Sequence, residues 1–184
     1  MRIEINLHSK YVALRGSGLS FWSNCHVKIT DGARLELPRV FAQPLRKYTP
    51  KIFLRPSISV EVEPLPPENR FLVIEPLGTH LRSLKSAKKL PQTTQETVIN
   101  SYAQTKFDGQ GRLIVPERML YEINFKPGDK LVALGMVGWI EIWKEADWKR
   151  WEIELQNSPE WEQLIEFGLE KILYDHPFRD QDSV

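Results

Sequence analysis

An internal repeat constrains this chain more than any other feature of its sequence. The segment 28–38 reappears in similar order as the segment 106–116, with the shared residues 78 positions apart. The shared residues are Lys28 and Lys106, Arg34 and Arg112, Leu35 and Leu113, and Pro38 and Pro116. A second match joins residues 70–76 to residues 138–144 at an offset of 68. The chain therefore contains two copies of one structural unit, and the first copy holds ten extra residues in its middle.

Each copy has the pattern of two strands, a short helix and two more strands. Strands are expected at 25–30 and 35–37 in the first copy and at 101–107, 113–115, 130–134 and 139–143 in the second, with helices at 38–45 and 116–123. In both copies a proline ends the short strand and suits the first turn of the helix, where its missing N–H costs nothing. One such unit is too small to bury both of its faces. Two copies should therefore pack together as one barrel-like body.

Proline-rich, polar and acidic stretches separate the remaining segments. Prolines gather in the extra residues of the first copy, which should form an exposed loop because proline cannot donate to a sheet. After the second copy the pattern becomes helical and acidic. The expected organisation is a leader (1–22), a first copy (23–87) with a proline-rich insertion at about 56–69, a linker (88–98), a second copy (99–150) and an acidic helical tail (151–184).

Charge is unevenly distributed along the 184 residues, although the net charge is only +1. Residues 1–60 carry a net charge of +7, whereas residues 145–184 carry −7. A basic front and an acidic tail are typical of a protein that binds an anionic partner at one end and keeps its tail away from that partner. A solvated acidic face on C-terminal helices explains the tail equally well.

The sequence predicts a cytoplasmic protein without a membrane partner. Cys25 is the single cysteine, so no internal disulfide can form. The longest apolar run, residues 131–140, is too short to cross a bilayer. The N-terminal basic residues are not followed by the apolar segment of a signal peptide.

No group of residues has the spacing of a catalytic or metal site. Cys25 and His26 are neighbours on a predicted strand, so their side chains point to opposite faces and cannot form a nucleophilic pair. The other histidines, at positions 8, 80 and 176, lack the spacing of metal ligands. We therefore predict that the chain is not an enzyme and that it has neither a metal nor another cofactor.

The second copy carries a recognisable motif. The sequence DGQGRLIVP at residues 108–116 resembles the Asp-x-x-x-Arg block of the MraZ family and of the wider AbrB-like swapped-hairpin fold. The segment 140–143, followed by Trp148, is similar to the last strand and helix start of MraZ proteins. The resemblance covers roughly residues 23–150. It implies an α+β, β-rich fold in which two tandem β-β-α-β-β repeats form an AbrB/MraZ-like swapped-hairpin barrel, followed by C-terminal helices.

The resemblance also implies a function. MraZ-like proteins are bacterial transcriptional regulators that bind repeated DNA boxes upstream of division and cell-wall genes. They assemble into rings and contact double-stranded DNA through the arginines of the Asp-x-x-x-Arg blocks. A homo-oligomeric regulator located in the cytoplasm on the nucleoid is therefore expected. The expected DNA-binding residues are Arg34, Arg112, Lys28, Lys106 and Arg39.

The first copy departs from the family pattern in its turn. Thr30 replaces the expected aspartate and Ala33 replaces the expected glycine, while Arg34 is retained. An alanine suits a turn less well wherever the backbone needs a positive φ. The first copy should therefore contribute less to DNA binding than the second copy.

Two other interpretations remain open at the level of the sequence. The arginines in the two turns could be structural, each paired with a nearby acid such as Asp108. The chain could also be an AbrB-fold interaction module, similar to an antitoxin, that binds a basic protein through its acidic C-terminal helices. These interpretations differ in whether the turn arginines or the tail are essential.

Overall fold

The structure is a computed structural model, and it describes residues 11–15, 18–22, 24–57, 70–136 and 138–157. The chain divides into two compact units, residues 1–147 and residues 148–184. Residues 58–69 of the predicted proline-rich insertion lie outside the described residues, as do residues 158–184 of the predicted tail. Among the described helices, none has the length and apolar character needed to span a membrane.

An antiparallel hairpin comes before the first copy. Its strands, β1 (Tyr11–Arg15) and β2 (Gly18–Trp22), fall in the segment expected to be a leader. The first copy then contributes β3 (Asn24–Thr30), β4 (Arg34–Glu36), α1 (Arg39–Tyr48), β5 (Ile52–Pro56) and β6 (Leu72–Pro76). The backbone N–H of Ser57 donates to the carbonyl of Phe71 at 2.7 Å. This hydrogen bond joins the chain on the two sides of residues 58–69.

Two helices connect the copies, α2 (Leu77–Ala87) and α3 (Gln92–Ser101). Most of the segment 88–98, expected to be a polar linker, lies in α3. The prediction that a strand begins at residue 101 is wrong, because the helix that starts after Pro91 runs through Ser101.

The second copy repeats the order of elements in the first copy. It contains β7 (Ala103–Thr105), β8 (Leu113–Ile114), α4 (Glu117–Glu122), β9 (Leu131–Gly135) and β10 (Ile140–Lys144), and α5 (Glu145–Gln156) follows. Pro38 and Pro116 precede their helices instead of occupying the first turn, because their ψ angles of 147° and 132° are extended. Their carbonyls accept the first helical hydrogen bonds, from Phe41 and Met119 at 2.9 Å.

Eight strands form one antiparallel sheet in the order β7-β5-β6-β10-β9-β3-β4-β8. Its two edges approach each other, because Phe107, just beyond β7, forms an antiparallel bridge with Leu113 of β8. The sheet is therefore a nearly closed barrel, which leaves little of either edge strand exposed.

The strand pairing interleaves the two copies. The first strand of each copy pairs with the third strand of the other, in the pairs β3–β9 and β7–β5. The second strands pair with each other, as do the fourth strands, in the pairs β4–β8 and β6–β10. Exchanging the copies leaves this pattern unchanged. The predicted swapped-hairpin fold is thus confirmed.

The core is built from equivalent residues of the two copies. Phe41 and Leu45 of α1 are fully buried, and so are their counterparts in α4 and the following turn, Met119 and Ile123. Each pair is four residues apart, so it presents one apolar face of a helical turn to the barrel. On the strands, alternate residues such as Val27 and Ile29 point inward, which leaves the intervening side chains on the outer surface.

Candidate nucleic-acid interface

The turn between β7 and β8 is built around the carboxylate of Asp108. Its Oδ1 accepts hydrogen bonds from the backbone N–H groups of Gln110 and Arg112, both at 2.9 Å. Its Oδ2 contacts the guanidinium of Arg112, at 2.9 Å from Nε and 2.8 Å from Nη2. The hydrogen bond from the Arg112 N–H is the largest effect that lowers the pKa of Asp108, and the guanidinium lowers this pKa further. The ionised carboxylate therefore closes the turn and also holds the arginine side chain.

The corresponding turn of the first copy, between β3 and β4, lacks this carboxylate. Thr30 takes its place, and the threonine hydroxyl donates to the backbone oxygen of Arg34 at 3.3 Å. The guanidinium of Arg34 donates to the carbonyl of Gly32 through Nη1. The Arg34 Nε lies 3.7 Å from Oδ2 of Asp108. The carboxylate of the second copy thus contacts the arginines of both copies, as the structural interpretation of these arginines anticipated.

Ala33 and Gly111 occupy the same position in the two turns. Both have a left-handed backbone, with φ of +57° and +81°. Alanine is less favourable than glycine in this conformation, because its Cβ crowds the following carbonyl. The departure of the first copy from the family pattern therefore falls at a position that does need a positive φ.

Four of the five expected DNA-binding residues lie on one outer surface of the barrel. The register pairs Lys28 with Glu36 and Arg34 with Ile114. On the other side of β8 from β4, the N–H of Ile114 donates to the carbonyl of Lys106 at 3.1 Å. Residues between these positions, such as Leu35 and Leu113, face the core. Residues that lie opposite one another in the register have their side chains on the same surface of the sheet, so the named side chains share the outer surface. We call this surface the turn face and define it by its charged residues, Lys28, Arg34, Glu36, Lys106, Asp108 and Arg112.

Charge is distributed unequally between the two halves of the turn face. The carboxylates of Glu36 and Asp108 both belong to the half that contains Arg112 and Lys28. In the half that contains Arg34 and Lys106, the equivalent positions are the uncharged residues Thr30 and Ile114. The first half is therefore neutral and the second carries two positive charges.

Other basic residues of α1 differ in their relation to the turn face. Arg39 is exposed at the first position of α1, and no hydrogen bond or ion pair among the described residues joins it to the turn face. The guanidinium of Arg46 lies 5.8 Å from the centre of the Phe107 ring. A Cβ built on Gly111 would be 3.3 Å from its Nη1. Arg46 of the first copy therefore lies beside the turn of the second copy.

A partly buried polar cluster, which we call the Glu75 cluster, was missed by sequence reasoning. Its members are Arg55, Glu75, His80, Ser83 and Tyr102, contributed by β5, β6, α2 and the start of the segment leading into β7. The carboxylate of Glu75 is 1% exposed and contacts Arg55 Nε at 3.0 Å and the Tyr102 hydroxyl at 3.1 Å. Burial lowers the pKa of His80, against the opposing effect of Glu75. The signal available in the sequence was a single acidic residue, Glu75, in the otherwise apolar strand β6.

The interleaved copies and their paired turns define a swapped-hairpin protein of the AbrB-like class. Residues 101–166 match the family described as "MraZ protein, putative antitoxin-like". This part of the chain is thus similar to the MraZ family, which confirms the resemblance inferred from the motif at residues 108–116.

Two curated relatives extend this similarity. The chain is 31% identical over 94 residues to "Transcriptional regulator MraZ" of Pediococcus pentosaceus, a match that covers 48% of this chain and 62% of that protein. It is 33% identical over 97 residues to the protein of the same name from Methylococcus capsulatus, covering 52% of this chain and 62% of that protein. The chain therefore spans less than two thirds of the length of either relative. Neither name is that of an enzyme, in agreement with the sequence prediction.

Proposed function

We propose that this chain is a transcriptional regulator that binds double-stranded DNA through the turn face. The observation that carries the proposal is the convergence of four cationic side chains, two from each copy, on one outer surface. A row of cations on a sheet surface suits the phosphates of a duplex, and a pair of neighbouring arginines suits base edges. The names of the two relatives support the same function.

The side chains of the turn face are suited to different parts of the duplex. Arg34 and Arg112 have the planar fork that matches O6 and N7 of guanine in the major groove. Lys28 and Lys106, both exposed, suit phosphate contacts that set the register without reading sequence. Arg39 extends the basic surface from α1 as an additional phosphate contact.

We further propose that the regulator acts as a homo-oligomer, such as a ring, on repeated promoter boxes. The turn face of one chain carries a net charge of only +2, from four cations and two carboxylates. One subunit should therefore bind duplex DNA only in the non-specific range, about 10⁻⁴–10⁻⁶ M. Several subunits on neighbouring boxes would raise the affinity through their high effective concentration. Such a regulator would be located on the nucleoid of the cytoplasm.

Alanine substitution of the turn arginines tests the DNA-binding surface. A box is first selected from a pool of random duplexes with the full chain, and binding of each variant to that box is then titrated. Arg112→Ala and Arg34→Ala should each weaken binding, by about 1–3 kcal/mol where the arginine contacts a base through two hydrogen bonds. The loss should be larger for Arg112, because Asp108 holds its guanidinium through two nitrogens.

Lys85→Ala is the matched control for these variants. Lys85 is exposed on α2, outside the turn face, and its substitution removes the same charge. It should leave the affinity nearly unchanged. If both arginine variants keep the circular dichroism spectrum and the affinity of the unsubstituted chain, the turn face does not bind DNA.

Tandem boxes and light scattering test the assembly. A fragment with several boxes should bind far more tightly than a fragment with one box, and log K should fall steeply as log salt rises. Light scattering at low micromolar concentration should show a mass that is a multiple of 21.5 kDa. A monomer of 21.5 kDa that binds one box and several boxes equally well would contradict the oligomeric part of the proposal.

The acidic tail supports a second candidate function, that of an antitoxin-like interaction module. The family description includes this possibility, and residues 145–184 carry a net charge of −7. Removing residues 152–184 shows whether the tail serves the assembly or only repels DNA. If the tail serves the assembly, the truncated chain loses mass in light scattering and binds tandem boxes less tightly, despite its more positive charge. A truncated chain that stays assembled and binds more tightly would show that the tail only repels DNA.

A further inference from the structure

The two turn arginines share one carboxylate. Asp108 Oδ2 lies 2.8 Å from Nη2 of Arg112 and 3.7 Å from Nε of Arg34. Within the described part of the chain, no other carboxylate lies within 4.0 Å of either guanidinium. Asp108 and Arg34 belong to different copies, so this contact crosses the line along which β4 and β8 pair.

Arg34 depends on this contact because, among the described residues, no acid of its own copy lies within 4.0 Å of its guanidinium. Thr30, the counterpart of Asp108, is neutral, and its hydroxyl contacts the Arg34 backbone instead of the guanidinium. The remaining described contact of this guanidinium is the carbonyl of Gly32. A carbonyl from the same turn and a carboxylate from the other copy thus fix the direction of the Arg34 side chain.

We propose that Asp108 is a positioning residue for both turn arginines, so that the two copies engage DNA as one coupled unit. This proposal rests on the proposed function. The Arg112 guanidinium uses the N–H of Nε and one N–H of Nη2 on Asp108, which leaves the second N–H of Nη2 and those of Nη1 for a ligand. An arginine held in this way loses less side-chain entropy when it binds a base edge. Asp108 therefore favours DNA binding although its own charge repels phosphate.

The sign of the effect of Asp108→Asn separates positioning from charge. Removing a carboxylate from a DNA-binding surface should tighten binding if charge alone matters, because the repulsion of phosphate is lost. Asparagine keeps the Oδ1 acceptor for the turn amides but loses the ionic contact with both guanidinium groups. We expect Asp108→Asn to weaken binding of the selected box at least about twofold, the lower end of couplings between contacting residues.

Glu36→Gln is the matched control. Glu36 lies on the same turn face and its substitution makes the same change in charge, but it forms no ion pair among the described residues. It should tighten binding modestly, about twofold, because only a repulsive charge is removed. Opposite effects of Asp108→Asn and Glu36→Gln on one surface are the result expected for a positioning residue.

A double-mutant cycle tests the coupling across the two copies. If Asp108 positions Arg34, the loss of affinity caused by Arg34→Ala should be smaller in the Asp108→Asn background than in the unsubstituted chain. Adding Thr30→Asp to Asp108→Asn should restore part of the affinity, since it gives the first copy an acid at the equivalent position. The Arg34→Ala loss should then return towards its original size.

The possible results are distinguishable from failure of the proposed function. If neither arginine variant changes the affinity, both the proposed function and this inference fail. If the arginine variants weaken binding while Asp108→Asn tightens it as much as Glu36→Gln does, only the positioning role fails. If the effects of Arg34→Ala and Asp108→Asn on affinity simply add, Asp108 does not couple the two copies. Should Asp108→Asn not fold, Asp108→Glu keeps the charge but displaces it by one methylene, and unchanged affinity of that variant would contradict the proposal.

Discussion

Leu35 and Leu113 face each other directly across β4 and β8, and both side chains are fully buried. They are also equivalent residues of the two copies, 78 positions apart in the sequence. Equivalent residues can pair in this way only at the centre of an internal two-fold relationship. The same strand pair, β4 and β8, thus buries equivalent leucines on its inner surface and brings the two turn arginines to one carboxylate on its outer surface.

Truncating either leucine should strongly destabilise the barrel. We expect Leu35→Ala and Leu113→Ala each to lower the free energy of unfolding by about 2–5 kcal/mol, because each truncation removes buried apolar contacts and leaves a cavity in the core. The double variant should cost less than the sum of the two, since both truncations open one shared cavity. Urea unfolding followed by circular dichroism measures these values. Leu81→Ala, at a leucine that is 56% exposed, is the control and should change stability by no more than about 0.5 kcal/mol.

Gly111→Ala should destabilise the turn of the second copy. Gly111 has φ of +81°, and a Cβ there would lie 3.3 Å from Nη1 of Arg46. We expect a loss of about 1–2 kcal/mol from the left-handed backbone, measured by thermal or urea unfolding. Gly109→Ala in the same turn is the control, because a Cβ there meets no atom within 4 Å. Equal effects of both substitutions would show that backbone conformation does not decide stability in this turn.

Removing Arg55 should leave a buried charge without its cation. Glu75 is 1% exposed, and Arg55 Nε contacts its Oε1 at 3.0 Å. We expect Arg55→Ala to cost about 2–4 kcal/mol of unfolding free energy, since the remaining hydroxyl partners only partly compensate a buried carboxylate. Adding Glu75→Gln should recover part of this loss by removing the charge. A double variant that is less stable than Arg55→Ala would contradict this account.

The burial of His80 should make the protein less stable in mild acid. Burial lowers the pKa of His80 below its usual value, although the nearby Glu75 acts in the opposite direction. The unfolded chain therefore binds a proton at higher pH than the folded chain does. Stability should fall as the pH drops through about 6.5, the unfolded value, towards the lower folded value.

His80→Phe provides the comparison for this pH dependence. The His80 ring stacks on the Phe53 ring with their centres 3.7 Å apart, and phenylalanine at position 80 keeps a ring there without a titrating group. Arg55, Glu75 and Tyr102 surround position 80 in the unsubstituted protein and in the variant. Their own contributions to the pH dependence of stability therefore largely cancel in the difference between the two proteins. The stability difference measured between pH 7 and pH 5 should shift in favour of His80→Phe at the lower pH. A constant difference would rule out His80 as the source.

Local patterns in the sequence predicted most of the elements that carry the turn face. The alternation of β3, the proline before α1 and the glycine-rich turn at residues 108–112 each depend on neighbours in the chain. The helix α3 was not predicted because its residues are mostly polar and have no apolar face that periodicity can detect.

The sequence by itself determined that there are two copies of one unit, and it placed an arginine in each turn beside a position that needs a positive φ. These features are local, since they depend on residues a few positions apart. Only the tertiary structure decided that Asp108 reaches Arg34, that Arg46 lies beside Gly111, and that Glu75 is buried. The first two contacts join residues of different copies, which the pairing of strands between the copies brings together. Glu75 is covered by residues of other elements, such as Arg55, and no local pattern encodes either arrangement.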